Sequence, residues 1–365
     1  MPASSSPSAR GESRPNGVPL KIRAAVIGAT GYTGAETLRY LLGHPYVEIS
    51  AAVARSGAGM PVSDVLRGLV GRTDLLLEPY DPDALGERAD VALCCLPHGD
   101  SQEIVDELRT AGLTVFDLSA DHRLGGLELH EKVYGEHRFP ERLDEAVYGS
   151  PELFREQLRD AELVAVPGCY PTSANLALWP LLAEGLIEPD DIIVDAKSGV
   201  SGAGRTPALA SHFAEAGEGL TAYKVLVHRH GPEIEHALGS AVGAQIRVLF
   251  TPHLVPMTRG ILCTAYARLR PGVAATSVRE AYAMAYDSLP FVHLLPEGRA
   301  PRTQDVRGTN NAHVQGFVRE DDGRVIAISA IDNLGKGAAG QAVQCMNLAM
   351  DLGETSGLDM PALVP

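Results

Sequence analysis

The stretch Lys21-Ile22-Arg23-Ala24-Ala25-Val26-Ile27-Gly28-Ala29-Thr30-Gly31-Tyr32-Thr33-Gly34 decides the fold class. Its first seven residues read as a strand, which runs straight into glycines spaced G-x-x-G-x-x-G. Residues 35–42 then read as a helix. Strand, glycine turn and helix form the context that a dinucleotide-binding turn requires. Glycine lets backbone approach a pyrophosphate, and the pyrophosphate rests on the helix N-terminus. Gly28, Thr30, Gly31, Tyr32, Thr33 and Gly34 are therefore candidate cofactor contacts; an ordinary tight turn is the competing reading. The next strand, residues 48–54, ends in Arg55-Ser56. An acidic residue at that tip would hold the ribose 2′-OH of NAD, whereas Arg suits a 2′-phosphate. Arg55 and Ser56 thus point to NADP(H), although a solvated Arg would read the same way.

Working outward, the strand–helix alternation continues. Residues 90–96 read as a buried strand containing Cys94 and Cys95 as core, with His98 just beyond it, either bordering the cofactor or facing solvent. The strand at residues 114–118 exits into Ser119-Ala120-Asp121-His122-Arg123, where Ser119 and Arg123 read as an anion contact. The alternation predicts a doubly wound parallel sheet up to Cys169. That cysteine follows the apolar run Val164-Ala165-Val166 and the break Pro167-Gly168, at the start of a helix. Unpaired backbone N–H groups and the helix dipole meet at such a corner, so a lowered thiol pKa is expected there. A small buried cysteine is the alternative.

Past Trp179 the pattern changes. Residues 191–197 read as a strand, followed by Ser198-Gly199-Val200-Ser201-Gly202-Ala203-Gly204-Arg205. Between Lys197 and Arg205 this loop offers N–H donors and two cations to an anion, with Ser198, Gly199 and Arg205 as contacts; a flexible surface loop is the alternative. His228-Arg229-His230 places two imidazoles on one side if the backbone is extended. Acid/base work beside Cys169 explains the pair better than a metal, for which the ligand spacing is poor. Strands are expected at residues 245–250, 260–268, 313–318 and 324–330, and the alternation in several of them predicts an α+β second domain with one covered sheet face. The glycine-rich, cationic segment around Asn333 and Lys336 opens a helix over about residues 339–352. This segment is expected to meet the first domain and the nicotinamide end of the cofactor.

Composition sets the outer limits. The 365 residues are enough for two cored domains, and the formal net charge of -15 argues against nucleic acid or an anionic membrane as partner. No apolar run is long enough to span a bilayer. Five cysteines without metal-type spacing fit free thiols in a reducing cytoplasm. Residues 1–20, rich in Ser, Pro and Gly, read as a disordered leader. The domains expected are 21–168, completed by the C-terminal helix at 335–365, and 169–334.

These segments, together with Asp332-Asn333-Leu334-Gly335-Lys336-Gly337, resemble in content and order the N-acetyl-γ-glutamyl-phosphate reductases of arginine biosynthesis. The resemblance runs from about residue 21 to the end, with His122 standing where the family pattern has Phe. It implies a Rossmann-type domain plus an α+β catalytic and dimerisation domain of semialdehyde-dehydrogenase type. It also implies NADPH reduction of an acyl phosphate through a thioester on Cys169. By family position His230 or His228 is the acid/base partner, with the lean toward His230. Arg205 and its loop hold substrate anions, the sheet of the second domain makes a homo-oligomer (dimer or tetramer), and no metal is required. An aminoadipyl-phosphate reductase is the near alternative, and a non-catalytic NADP-binding regulator the far one.

Overall fold

A computed structural model describes residues 21–363; the leader expected at 1–20 lies outside the described residues. The first sheet contains β1 (Ile22–Ile27), β2 (Val47–Val53), β3 (Leu77–Glu78), β4 (Val91–Cys94), β5 (Thr114–Asp117), β6 (Val147–Tyr148) and β7 (Leu163–Ala165). All pair in parallel, in the order β3-β2-β1-β4-β5-β7-β6. Residues 24–27 of β1 are buried, as in a strand covered on both faces. Because β2 and β4 flank β1, the chain leaves β1 to one side and returns on the other. The crevice beyond the carboxyl ends of β1 and β4 is therefore the ligand position of this topology. It is where α1 (Tyr32–Leu41) begins.

The second sheet contains β8 (Ile192–Gly199), β9 (Thr221–Ala222), β10 (Val248–Val255), β11 (Ile261–Arg268), β12 (Val292–Leu294), β13 (Ala312–Arg319) and β14 (Arg324–Ile331). Its order is β12-β13-β14-β11-β8-β10-β9, with mixed directions. Three helices, α2 (Cys169–Ala183), α3 (His230–Val242) and α4 (Thr276–Tyr286), share a core with one face of this sheet. On the other face Ile193, Leu249 and Tyr266 are exposed. Burial alternates strictly along β11, the mark of a sheet covered on one side.

Helix α2 carries two prolines that should disturb it. Pro171 lies in the first turn, where its missing N–H costs nothing. Pro180 lies inside and leaves the Leu176 carbonyl without its helical donor. The Tyr286 hydroxyl of α4 donates to that carbonyl at 2.9 Å, and Tyr282 donates to the adjacent Ala177 carbonyl. A cross-helix pair of tyrosines thus satisfies the segment that carries Cys169.

The chain ends by returning to the first sheet. Ala342, Val343, Cys345 and Met346 of α5 (Gly340–Ala349) join Val26, Leu38, Leu41 and Phe116 in one buried cluster. The turn before α5 passes directly under the nucleophile corner: a Cβ built on Gly337 would sit 2.9 Å from the Cβ of Cys169.

Candidate active site

Cys169 is the first residue of α2, with Gly168 as its N-cap. The Gly168 N–H donates to Glu233 Oε1 at 2.8 Å, and the Tyr148 hydroxyl donates to the same oxygen at 3.0 Å. Arg123 pairs with the other oxygen, Oε2, at 3.4 Å. Glu233, fully buried near the start of α3, therefore fixes the corner that presents the thiol. His230 opens α3 and presses on that corner: a Cβ on Gly168 would lie 2.5 Å from His230 Nε2 and 2.9 Å from Arg123 Nη1. A side chain at Gly168 would have to displace His230 or Arg123.

His228 and His230 do not lie on an extended strand. A turn with Lys224 and Leu226 in the left-handed region precedes them, and α3 begins at His230. Both rings nevertheless face Tyr170 edge-on, 4.7 Å from each other. His228 Nδ1 accepts from the His230 N–H at 3.1 Å. Burial, reinforced by Lys224 and Arg229, pulls the His228 pKa down to about 4. Burial, then His228 and Arg123, holds His230 well below the ordinary range. At neutral pH His230 is an unprotonated base.

The thiol departs from the expectation. Burial pushes Cys169 up to about 11, outweighing the charge of Arg123 and the N–H groups of Tyr170 and Cys169 that favour thiolate. The corner is half-buried rather than open, so desolvation dominates the helix terminus. The pair is thus neutral thiol and neutral imidazole, with the thiolate formed when its proton is taken.

The dinucleotide turn has the geometry the glycines call for. Gly28 has φ +80, and a Cβ there would lie 2.5 Å from the Cys95 carbonyl oxygen. Gly31 caps α1 without a side-chain bond, so the first N–H groups of the helix face the crevice. This cradle fits a pyrophosphate. Arg205 reaches it from the second domain, donating to the Thr30 carbonyl at 2.7 Å. Arg55 and Ser56 are exposed at the tip of β2, where Arg55 pairs with Asp100 at 2.7 Å.

Several expected contacts are engaged elsewhere. Lys336 is fully buried and donates to Glu152 and Gln344, each at 2.7 Å, so its ammonium is paired within the protein. Asn333 accepts from the Gly260 N–H and donates to Ser201, tying the second domain's own loop. Ser119 is buried and donates to Asp117 at 2.8 Å. The N–H groups of Gly199, Val200 and Ser201 already donate to Gly260, Met257 and Thr258 carbonyls, and the Ser198 hydroxyl to the Gly199 carbonyl. That loop is therefore not an open anion nest at those positions. Arg123 is 8% exposed and bonds the Val166 and Leu118 carbonyls, so it acts on Cys169 through its field rather than as an open ligand arm.

A family model described as the semialdehyde dehydrogenase NAD binding domain matches residues 23–161, and one described as the semialdehyde dehydrogenase dimerisation domain matches 169–333. The chain is 48% identical to the N-acetyl-gamma-glutamyl-phosphate reductase of Rhodopirellula baltica, over 93% of this chain and 99% of that one. It is 49% identical to the reductase of the same name from Magnetococcus marinus, over 94% and 99%.

The chain belongs to the N-acetyl-gamma-glutamyl-phosphate reductase family.

Among solved structures it is similar to aspartate semialdehyde dehydrogenase II of Vibrio cholerae, with TM-score 0.68 and 17% identity over 90% of this chain and 98% of that one. The Candida albicans aspartate semialdehyde dehydrogenase with NADP is similar at TM-score 0.64 and 19% identity, over 91% and 99%. These two show the fold. As a member of the reductase family, the protein is a dinucleotide-dependent oxidoreductase. Sequence reasoning missed Glu233 as its corner-holding residue. The signal was there: an acid in the first turn of a helix, three residues after His230.

Proposed function

We propose that this protein reduces N-acetyl-γ-glutamyl phosphate to N-acetylglutamate 5-semialdehyde and phosphate, with NADPH, in arginine biosynthesis. The observation that carries the reading is a cysteine at a helix start, packed through Gly168 against a neutral histidine, in a chain that also builds a dinucleotide cradle. His230 takes the thiol proton as Cys169 Sγ bonds to the acyl carbon, and the carbon–oxygen bond to phosphate breaks to leave a thioester. The N–H groups at the start of α2 stabilise the oxyanion that develops on the acyl oxygen. The dinucleotide, when bound, supplies the hydride that reduces the thioester carbon. The protonated His230 then returns its proton as the hemithioacetal on Cys169 opens to aldehyde and thiol. Exposed Arg55 favours NADPH by meeting the 2′-phosphate in competition with Asp100.

The open face of the second sheet supports assembly as a homo-oligomer. Among the described residues no helix is long and apolar enough to cross a membrane, and free cysteines suit the cytoplasm as the site of action. The test runs the reaction backwards, following NADPH formed from N-acetylglutamate 5-semialdehyde, NADP and phosphate. Phosphate-dependent activity that disappears in Cys169→Ser is expected. Activity without phosphate would overturn the acyl-phosphate mechanism, and preference for the one-carbon-longer aldehyde would move the enzyme to aminoadipyl chemistry.

A further inference from the structure

The substrate proposed above carries two anionic groups: the phosphate at the reacting end, and an α-carboxylate four bonds from the acyl carbon. The cations around Cys169 differ in what they have left to offer. Arg123 is buried and bonded to two carbonyls and Glu233. Lys197 pairs with Asp195 at 2.5 Å, and Arg205 donates to Thr30. Arg229 and Lys224 are exposed, and neither side chain has a hydrogen bond or ion pair among the described residues. In a chain of net charge -15, an unneutralised arginine beside the two histidines is notable.

Arg229 also has a fixed place. Its guanidinium lies over the ring of Tyr134, 5.1 Å from the centroid, and Tyr134 is itself packed against His98 at 4.5 Å. A contact with the ring takes none of the guanidinium N–H groups into a hydrogen bond, and those groups are what grip a carboxylate in a two-pronged bond. Arg229 is also the residue before His230, at the cap of α3, and its charge acts on both His228 and His230. Lys224 lacks the platform and the cap position: it stands on an exposed turn at φ 47, with no ring beneath it among the described residues.

We infer that Arg229, seated on Tyr134, is the specificity-determining cation that receives the substrate's α-carboxylate; the inference rests on the functional reading above. The test compares N-acetylglutamate 5-semialdehyde with 4-acetamidobutanal, the same aldehyde without the carboxylate, in wild type, Arg229→Gln and Lys224→Gln. A charge-assisted pair lost in Arg229→Gln lowers kcat/KM for the carboxylated aldehyde roughly 10- to 100-fold, mainly through KM. It leaves kcat/KM for 4-acetamidobutanal unchanged, and Lys224→Gln shows no such selective loss. Equal losses on both aldehydes would show that Arg229 acts on phosphate or on His230 and would overturn the inference alone. So would the same selective loss in Lys224→Gln. A wild type inactive on the first aldehyde would bring down the functional reading, and this inference with it.

Discussion

At the scale of single residues, the site is decided by what each charge already has for company. Lys336 looks in sequence like a cation at a glycine-rich cofactor segment, yet its ammonium is enclosed by Glu152 and Gln344 with no exposure. Replacing it with Met leaves Glu152 buried without its counter-charge. Lys336→Met is expected to cost about 3 to 5 kcal/mol in urea unfolding, while the folded fraction keeps its KM for NADPH. A raised KM at unchanged stability would restore the cofactor role. Cys169 teaches the same lesson in the other direction. Its helix position favours thiolate, its burial does not, and burial is the larger effect.

At the scale of elements, the helix Leu127–Tyr134 supplies the Tyr134 platform and leans on an imidazole cluster. His130 of this helix is fully buried, with neither ring nitrogen partnered among the described residues, and packs edge-on to His137 at 4.7 Å. His137 in turn packs edge-on to His122. Burial, then the neighbouring His137, lowers the His130 pKa to about 4, with Asp121 opposing. The unfolded chain titrates near the ordinary histidine value of about 6.5 and takes up the proton first. The stability tied to neutral His130 is therefore present above about pH 6.5 and is lost as pH falls toward 4. Urea unfolding at pH 7.5 and pH 5 should show that His130→Gln loses about 1 to 2 kcal/mol less than wild type on acidification. An identical acid loss in both proteins would exclude His130 as a source.

At the scale of the whole molecule, the two sheets are joined by charge as well as by α5. Glu36 of α1 bonds Arg39 on its own helix and, at 2.6 Å, Arg259 from the segment before β11. Arg259 also pairs with Asp332, which accepts from the N–H groups of Gly308, Leu334 and Gly335. Burial would raise the Glu36 pKa, but the two guanidiniums outweigh it and hold the carboxyl below its ordinary range. Glu36→Gln keeps the shape and removes the charge between two arginines. It should lower stability by about 2 to 4 kcal/mol and bring the melting transition down at neutral pH. An unchanged melting curve would mean that this charge bridge adds nothing to the joining of the two sheets.

By itself the sequence determined the glycine turn after β1, the parallel sheet behind it, the one-sided second sheet and the corner at Cys169. Each is a local pattern: periodicity, glycine spacing, or a break between strand and helix within a dozen residues. The reach of Lys336, Asn333, Ser119 and Arg123 was decided only by the tertiary structure. Their partners are Glu152, Gly260, Asp117 and Val166, and the lysine, asparagine and arginine partners stand tens of residues away. Glu233, which holds Gly168 from 65 positions further along the chain, was hidden for the same reason. A side chain's type tells what it can bond. Whether it bonds protein or ligand depends on which groups the fold buries beside it, because a polar group taken out of water must be paired where it lies.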